Sequence, residues 1–221
     1  MKTKILVILC LIFVLKTFSQ SKNEFFIHVG YSQASQSPKA FSFYQTSYWR
    51  ENIHNGFFGI EYYRAFNKKH AIGIGLQEVE KGFRIDYTFS TFFYGEDLKY
   101  FFKQNYLEMP IMYRYTTMYR SKKYFFNIGV IASYLVKSSE GSAFIRNYSN
   151  GSIQNIRNTN YDPTEFRKFD AGVIARIGVE LMKNLSATAT FTRGFIRPYK
   201  FNSGELNYNE VFMFGLMYKL K

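Results

Sequence analysis

Eight separate segments of this chain alternate apolar and polar residues with a period of two, and nothing else in it constrains the fold as strongly. Successive strand side chains point to opposite faces, so each segment reads as a two-faced strand. The fourth sets Leu107, Met109, Ile111, Tyr113 and Tyr115 against Glu108, Pro110, Met112 and Arg114. The sixth is the cleanest, with Phe169, Ala171, Val173, Ala175, Ile177, Val179 and Leu181 opposite Asp170, Gly172, Ile174, Arg176, Gly178 and Glu180. The others run through Phe25–Ser32, Phe58–Tyr63, Ile72–Gln77, Phe126–Tyr134, Leu185–Thr192 and Phe212–Leu220. No stretch after Ser19 carries a helical period. The third segment loses its phase near Glu78 and resumes through Phe83, Ile85 and Tyr87, which predicts a β-bulge in a long hairpin turning near Gly95-Glu96-Asp97.

The connections alternate long and short. Asn67-Lys68-Lys69, Arg120-Ser121-Lys122-Lys123 and Lys183-Asn184 are tight, whereas the stretches ending near Asn55 and running from Lys137 to Pro163 are long and polar. With segments near the roughly 9–11 residues that a tilted membrane strand needs, this predicts an all-β fold. The form expected is a transmembrane antiparallel up-and-down β-barrel of about eight strands, with long extracellular loops and short periplasmic turns.

Alternation alone leaves a second solution, a soluble lipocalin-like barrel whose apolar face points inward around a ligand. Three features favour the membrane form. The less apolar face is rich in Gly and small residues with scattered charges, as a narrow interior requires. Lys is scarce at the strand centres, and the last strand stays apolar almost to its end, although it finishes on Lys221.

Residues 1–19 read as a signal peptide. Lys2 and Lys4 precede the short apolar run Ile5 to Val14, and Thr17-Phe18-Ser19 supplies small residues before Gln20. The run is too short to span a bilayer, and Leu9 before Cys10 does not suit a lipoprotein site. Cys10 is the only cysteine, so a mature domain over 20–221 has no disulfide or thiol chemistry. Removing Lys2, Lys4 and Lys16 from the 29 basic residues leaves 26 against 16 acidic ones, a net charge of +10. These charges are dispersed and the chain is exported, so lipid or lipopolysaccharide phosphate is the expected partner and nucleic acid is not. Aromatics make up 20% of the chain, with 25 Phe and 19 Tyr, as a β-rich protein with interfacial rings requires.

Tyr106-Leu107-Glu108-Met109-Pro110-Ile111 resembles the YLE-(I/M)-P-(L/I) strand of the PorT-like family of small outer-membrane β-barrels from Bacteroidetes-type bacteria. The resemblance implies an outer-membrane location. For the family's founding members it also implies a part in type IX secretion and gliding machinery, and so possible secretion or envelope partners. The shared motif is an architectural strand and carries no catalytic residue.

Closure with about eight strands leaves an interior that side chains fill. Glu61, Glu108 and Glu180 are then expected to meet Arg114 and Arg176 in a structural charge network, because unpaired buried charge is costly. Lys68, Lys69, Arg120, Lys122, Lys123 and Lys183 fall in the short turns, where they either hold inner-leaflet phosphates or are simply polar turn residues. Tyr113, Tyr115, Tyr119 and Tyr124 form the neighbouring aromatic girdle. In the long connections Tyr44, Tyr48, Trp49, Phe92, Phe93, Tyr94, Phe144, Tyr148, Tyr161 and Tyr199 either make a binding surface or pack together at the outer girdle.

His28, His54 and His70 share no spacing, so neither a metal site nor a cofactor is expected. Gly73-Ile74-Gly75 lies within a strand with no helix after it and carries no dinucleotide signal. There is no Gly-x-Ser-x-Gly elbow. Three functions stand: a non-enzymatic, monomeric barrel anchoring loops for envelope interactions, a secretion accessory, and a lipid-modifying barrel enzyme.

Overall fold

The computed structural model describes residues 23–37, 40–43, 46–91, 94–139, 142–147, 153–157, 167–198 and 208–220, with side chains described for 23–35, 52–82, 103–138, 167–198 and 208–220. Residues 1–19, expected to be a signal peptide, lie outside the described residues, as do Tyr44, Phe92, Phe93, Tyr148, Tyr161 and Tyr199. For Tyr48, Trp49, Tyr94 and Phe144 only the backbone is described.

Twelve strands are described: β1 (Asn23–Ser37), β2 (Ala40–Phe43), β3 (Thr46–Glu51), β4 (Ile53–Ala65), β5 (His70–Thr91), β6 (Tyr94–Tyr119), β7 (Lys122–Ser139), β8 (Ser142–Asn147), β9 (Ile153–Arg157), β10 (Phe169–Met182), β11 (Leu185–Gly194) and β12 (Tyr208–Leu220). Eight of them close a ring in chain order, β1-β4-β5-β6-β7-β10-β11-β12, and β12 returns to β1 with Tyr31 facing Phe214. Every pairing is antiparallel. This is a closed up-and-down barrel, and closure gives the ring's backbone N–H and C=O groups partners without water.

The β5–β6 hairpin runs on past the ring in one unbroken register, from His70 opposite Tyr115 to Thr91 opposite Tyr94. The bulge expected near Glu78 is therefore absent, and the β4–β5 register is constant as well. The apolar phase changes because β5 leaves the apolar band while its geometry continues. Glu78 keeps the outward parity of Ile72, Ile74 and Leu76, and Lys81 keeps the inward parity of Gln77. The hairpin turns between Thr91 and Tyr94, and Gly95, Glu96 and Asp97 already pair with Ser90, Phe89 and Thr88. Register shifts occur elsewhere. Tyr106 faces Leu135 but Asn105 faces Lys137, and Glu180 faces Ser186 but Met182 faces Leu185. The β1–β4 and β7–β10 connections also carry strands: β3, with β2 beyond it, pairs with the far part of β5, and β8, followed by β9, with the far part of β6.

The three tight connections lie at one end, together with the start of β1 and the end of β12. In the β6–β7 turn Arg120 and Ser121 both have positive φ, 46° and 65°, as a two-residue hairpin with the twist of its strands requires. Asn184 takes φ 70° between β10 and β11, a conformation Asn tolerates better than most residues.

The side-chain faces are inside-out relative to a soluble protein. Ile128 is 66% exposed and its outward neighbours Phe126, Val130 and Tyr134 are exposed with it, while Arg176 is 2% exposed and Glu108 is fully enclosed. Exposed rows of this kind encircle the ring: Phe25, Val29 and Tyr31; Ile72, Ile74 and Leu76; Phe212, Phe214, Leu216 and Tyr218. An apolar belt of this extent is stable in hydrocarbon and unstable in water, which decides between the two barrels in favour of the membrane one.

Candidate functional site

The chemistry of this molecule is inside the barrel. Its buried Asp, Glu, Lys and Arg side chains, among the described residues, are Glu61, Glu108 and Asp170 against Lys81, Arg114 and Arg176, three charges of each sign, with His28 beside them. Balance matters because moving each ion from water into such an interior costs several kcal/mol unless a partner and hydrogen bonds compensate it.

Nearer the tight-turn end, Glu61 on β4 and Arg176 on β10 meet across the lumen. Nη1 of Arg176 lies 2.7 Å from both carboxylate oxygens, and Nε donates to Thr190 Oγ1 at 2.8 Å. Tyr63 donates its hydroxyl to Glu61 at 3.0 Å and accepts from Asn127 Nδ2 at 2.8 Å. Asn127 in turn accepts from Arg114 Nε at 3.1 Å. Arg114 has no carboxylate within ion-pair distance among the described residues. Its guanidinium lies 3.5 Å from the Tyr63 ring centroid, 4.5 Å from Phe125 and 4.9 Å from Phe26, a cation held by aromatic faces. Two glycines make room for those rings. A Cβ at Gly73 would run into the Tyr63 ring, and one at Gly178 into the Phe125 ring.

Further from that end, Lys81 on β5 is the hub. Its ammonium lies 2.7 Å from Glu108 and 3.5 Å from Asp170, donates to Ser133 Oγ at 3.1 Å, and sits 4.6 Å from the Tyr106 ring centroid. Glu108 also accepts from Gln77 Nε2 at 2.7 Å and Ser133 Oγ at 3.1 Å. Asp170 accepts from the Ile196 backbone N–H at 3.2 Å.

One part of the inner layer has the outline of a nucleophile triad. His28 Nε2 is 2.8 Å from Thr188 Oγ1, and its Nδ1 is 3.5 Å from Glu61. All three groups face the packed centre. Thr188 donates to the Gly215 carbonyl at 3.2 Å, and Glu61 is engaged by Arg176 and Tyr63. Acyl transfer needs a free nucleophile and space for a substrate beside it. Thr188 is buried and its hydroxyl is engaged by both His28 and the Gly215 carbonyl, so the arrangement reads as a packed hydrogen-bond network.

Of the interior residues expected from the sequence, Glu61 and Arg176 are brought together. Glu108 pairs with Lys81, Arg114 rests on aromatic rings, and Glu180 stands apart, half-buried at the tight-turn mouth. Lys81, Asp170, His28, Gln77 and Asn127 also belong to the network, which the sequence reading does not assign to them. The signal for Lys81 was available, since an unbroken period through Gly73, Gly75, Gln77 and Val79 places it inside.

The basic turn residues are gathered at one end. Lys68, Lys69, Arg120, Lys122 and Lys183 are exposed, with Arg120 over the Tyr119 ring at 5.3 Å, whereas Lys123 has inward parity and lines the mouth of the lumen. Beside them His70 bonds to Tyr113, and at the other end of the belt His54 bonds to Tyr31. Such ring pairs suit an interface that is apolar on one side and wet on the other.

A family model described as outer membrane protein beta-barrel domain matches residues 18–197. No curated protein matches the chain. Among solved structures, the outer membrane protein OprG of Pseudomonas aeruginosa is 12% identical, covering 92% of this chain and 98% of its own, with a TM-score of 0.46. Ail, the attachment invasion locus protein of Yersinia pestis, is 12% identical, covering 90% and 99%, with a TM-score of 0.42. Neisserial surface protein A is 10% identical, covering 89% and 97%, with a TM-score of 0.41.

Proposed function

Because the chain belongs to the outer membrane protein β-barrel domain family, we propose that it is a non-enzymatic integral outer-membrane protein, a closed barrel that anchors surface segments and conducts nothing. The observation that carries this reading is the balanced interior, in which Arg176 on β10 meets Glu61 on the opposite β4, and Lys81 on β5 holds both Glu108 on the neighbouring β6 and Asp170 on β10. A bridge of that kind occupies the path an ion would take, and opening it would strand buried charge. The sealed Thr188–His28–Glu61 group supports the absence of catalysis. Reconstitution of the purified barrel in planar bilayers is expected to give no unitary current steps, and regular steps would overturn the reading.

In this proposal residues 1–19 direct export, so N-terminal sequencing of the mature protein should begin at Gln20. The tight-turn end faces the periplasm, where Lys68, Lys69, Arg120, Lys122 and Lys183 contact inner-leaflet phosphates. Unchanged lipid association and assembly after replacement of these five by Gln would refute that contact. The far end, with the continuation of the β5–β6 hairpin, faces the exterior.

The Tyr106–Ile111 strand favours a second reading, a PorT-like accessory of type IX secretion. Comparison of secreted proteins from a deletion strain and its parent separates the two. Loss of a set of exported proteins supports the accessory role, and an unchanged set supports the anchor.

A further inference from the structure

At the tight-turn end the lumen opens into a cup of about 110 Å3, floored by Arg114 and walled by Lys123, Lys219, Ser186, Asn184 and Glu180. We propose that this cup is a binding site for a single phosphate-class oxyanion, a property beyond the anchoring role. The space is well above the roughly 10–15 Å3 of accessible volume that one water needs.

The argument begins at the floor. Arg114 is 5% exposed, and of its five N–H donors one bonds Asn127 and one makes a 3.5 Å contact with the Met217 sulfur. The aromatic rings of Tyr63, Phe125 and Phe26 hold the guanidinium plane, so it is fixed before any ligand arrives. A fixed guanidinium with unused donors matches the geometry of a phosphate or sulfate oxygen pair.

The walls supply the excess of positive charge. Lys219 is paired with Glu24 at 2.6 Å, but Lys123 makes no ion pair among the described residues. Against Arg114, Lys123 and Lys219 stand Glu24 and Glu180, and the cup remains net cationic. Ser186 and Asn184 add neutral polar groups at the rim. Asn184 is held in place by its positive φ and by its carbonyl, which accepts from the Lys219 backbone N–H at 2.8 Å. Glu180 lines the same cup without reaching ion-pair distance of Arg114, Lys123 or Lys219. It is therefore a competitor for the anion, and its removal should strengthen binding.

The test uses the full mature barrel in a non-ionic detergent, with the gel shift between boiled and unboiled samples confirming that each variant is folded. Inorganic phosphate is titrated and followed by calorimetry, and phosphatidylglycerol is titrated in a parallel series. Saturable single-site binding is expected, weakened roughly tenfold in Lys123→Gln and strengthened by a similar factor in Glu180→Gln, because each removes one charge facing the anion. Binding of inorganic phosphate assigns the site to a free anion, and binding of phosphatidylglycerol alone assigns it to a lipid headgroup. Either supports the site. No binding of either probe by the wild type, or binding that both substitutions leave unchanged, overturns it.

Discussion

Glu61→Gln removes the carboxylate that Arg176 engages through two 2.7 Å contacts while keeping the side-chain volume. The substitution leaves a fully enclosed guanidinium facing neutral groups, since Thr190, its remaining hydrogen-bond partner, carries no charge. Removing one member of a buried pair in this way costs about 3–5 kcal/mol. Tyr63 also loses its charged acceptor, but it can still donate to the Gln carbonyl, so no further loss is added for it. The companion variants are Arg176→Met and the double variant. If the charges act as a pair, the double variant loses less than the sum of the singles, by roughly 1–3 kcal/mol, because neither charge is left stranded. The assay is urea titration of the barrel in phospholipid vesicles, reading the folded fraction from unboiled migration on a denaturing gel. With a urea dependence of about 1–3 kcal/mol per molar, a loss of 3–5 kcal/mol lowers the midpoint by about 1 M or more. A Glu61→Gln midpoint within experimental error of the wild type would refute the reasoning, and so would strict additivity in the double variant.

Lys81→Met is expected to be more damaging than Glu108→Gln, because the former leaves both Glu108 and Asp170 without their shared cation. The same urea titration ranks them, and the reverse order would refute Lys81 as the hub. On the belt, Val130→Arg sits near the middle of the outward row of β7 and should cost about 2–4 kcal/mol, whereas Leu181→Arg beside the tight turn should cost about 0–1 kcal/mol. Equal costs for the two would contradict the assigned belt. Gly178→Val places side-chain atoms where the Phe125 ring lies and should cost about 1–3 kcal/mol through forced repacking. If the Phe125 ring does lie against Gly178, combining Gly178→Val with Phe125→Ala should cost less than the sum of the two single losses.

The strands were legible because alternation is a local property of an extended backbone. Each of the eight segments reports its own two faces, and the three tight turns separate hairpins whose registers then follow. Glu61, Glu108, Arg114 and Arg176 were recognisable as one inward set because each shares parity with Gly or small residues that a narrow lumen favours. The β5–β6 extension was misread for an equally local reason. At Glu78 the environment of the outward face changes from lipid to water, and in sequence that change of solvent looks like a change of register.

The pairings inside the barrel had no such local signature. Arg176 reaches Glu61 across 115 residues of chain, and Arg114 reaches Met217 across 103. Which cation meets which carboxylate depends on the order and stagger of eight strands around a closed ring, a global quantity that parity does not encode. Arg114 illustrates the consequence, since sequence reasoning placed it with an acid and the ring placed it among Tyr63, Phe125 and Phe26. The sequence by itself determined that this chain makes two-faced strands and which residues share each face, because side-chain direction alternates along every strand. Closure alone decided the partners in the lumen and the cup beneath the turns, because only the completed ring brings distant strands within the few ångströms over which charges and hydrogen bonds act.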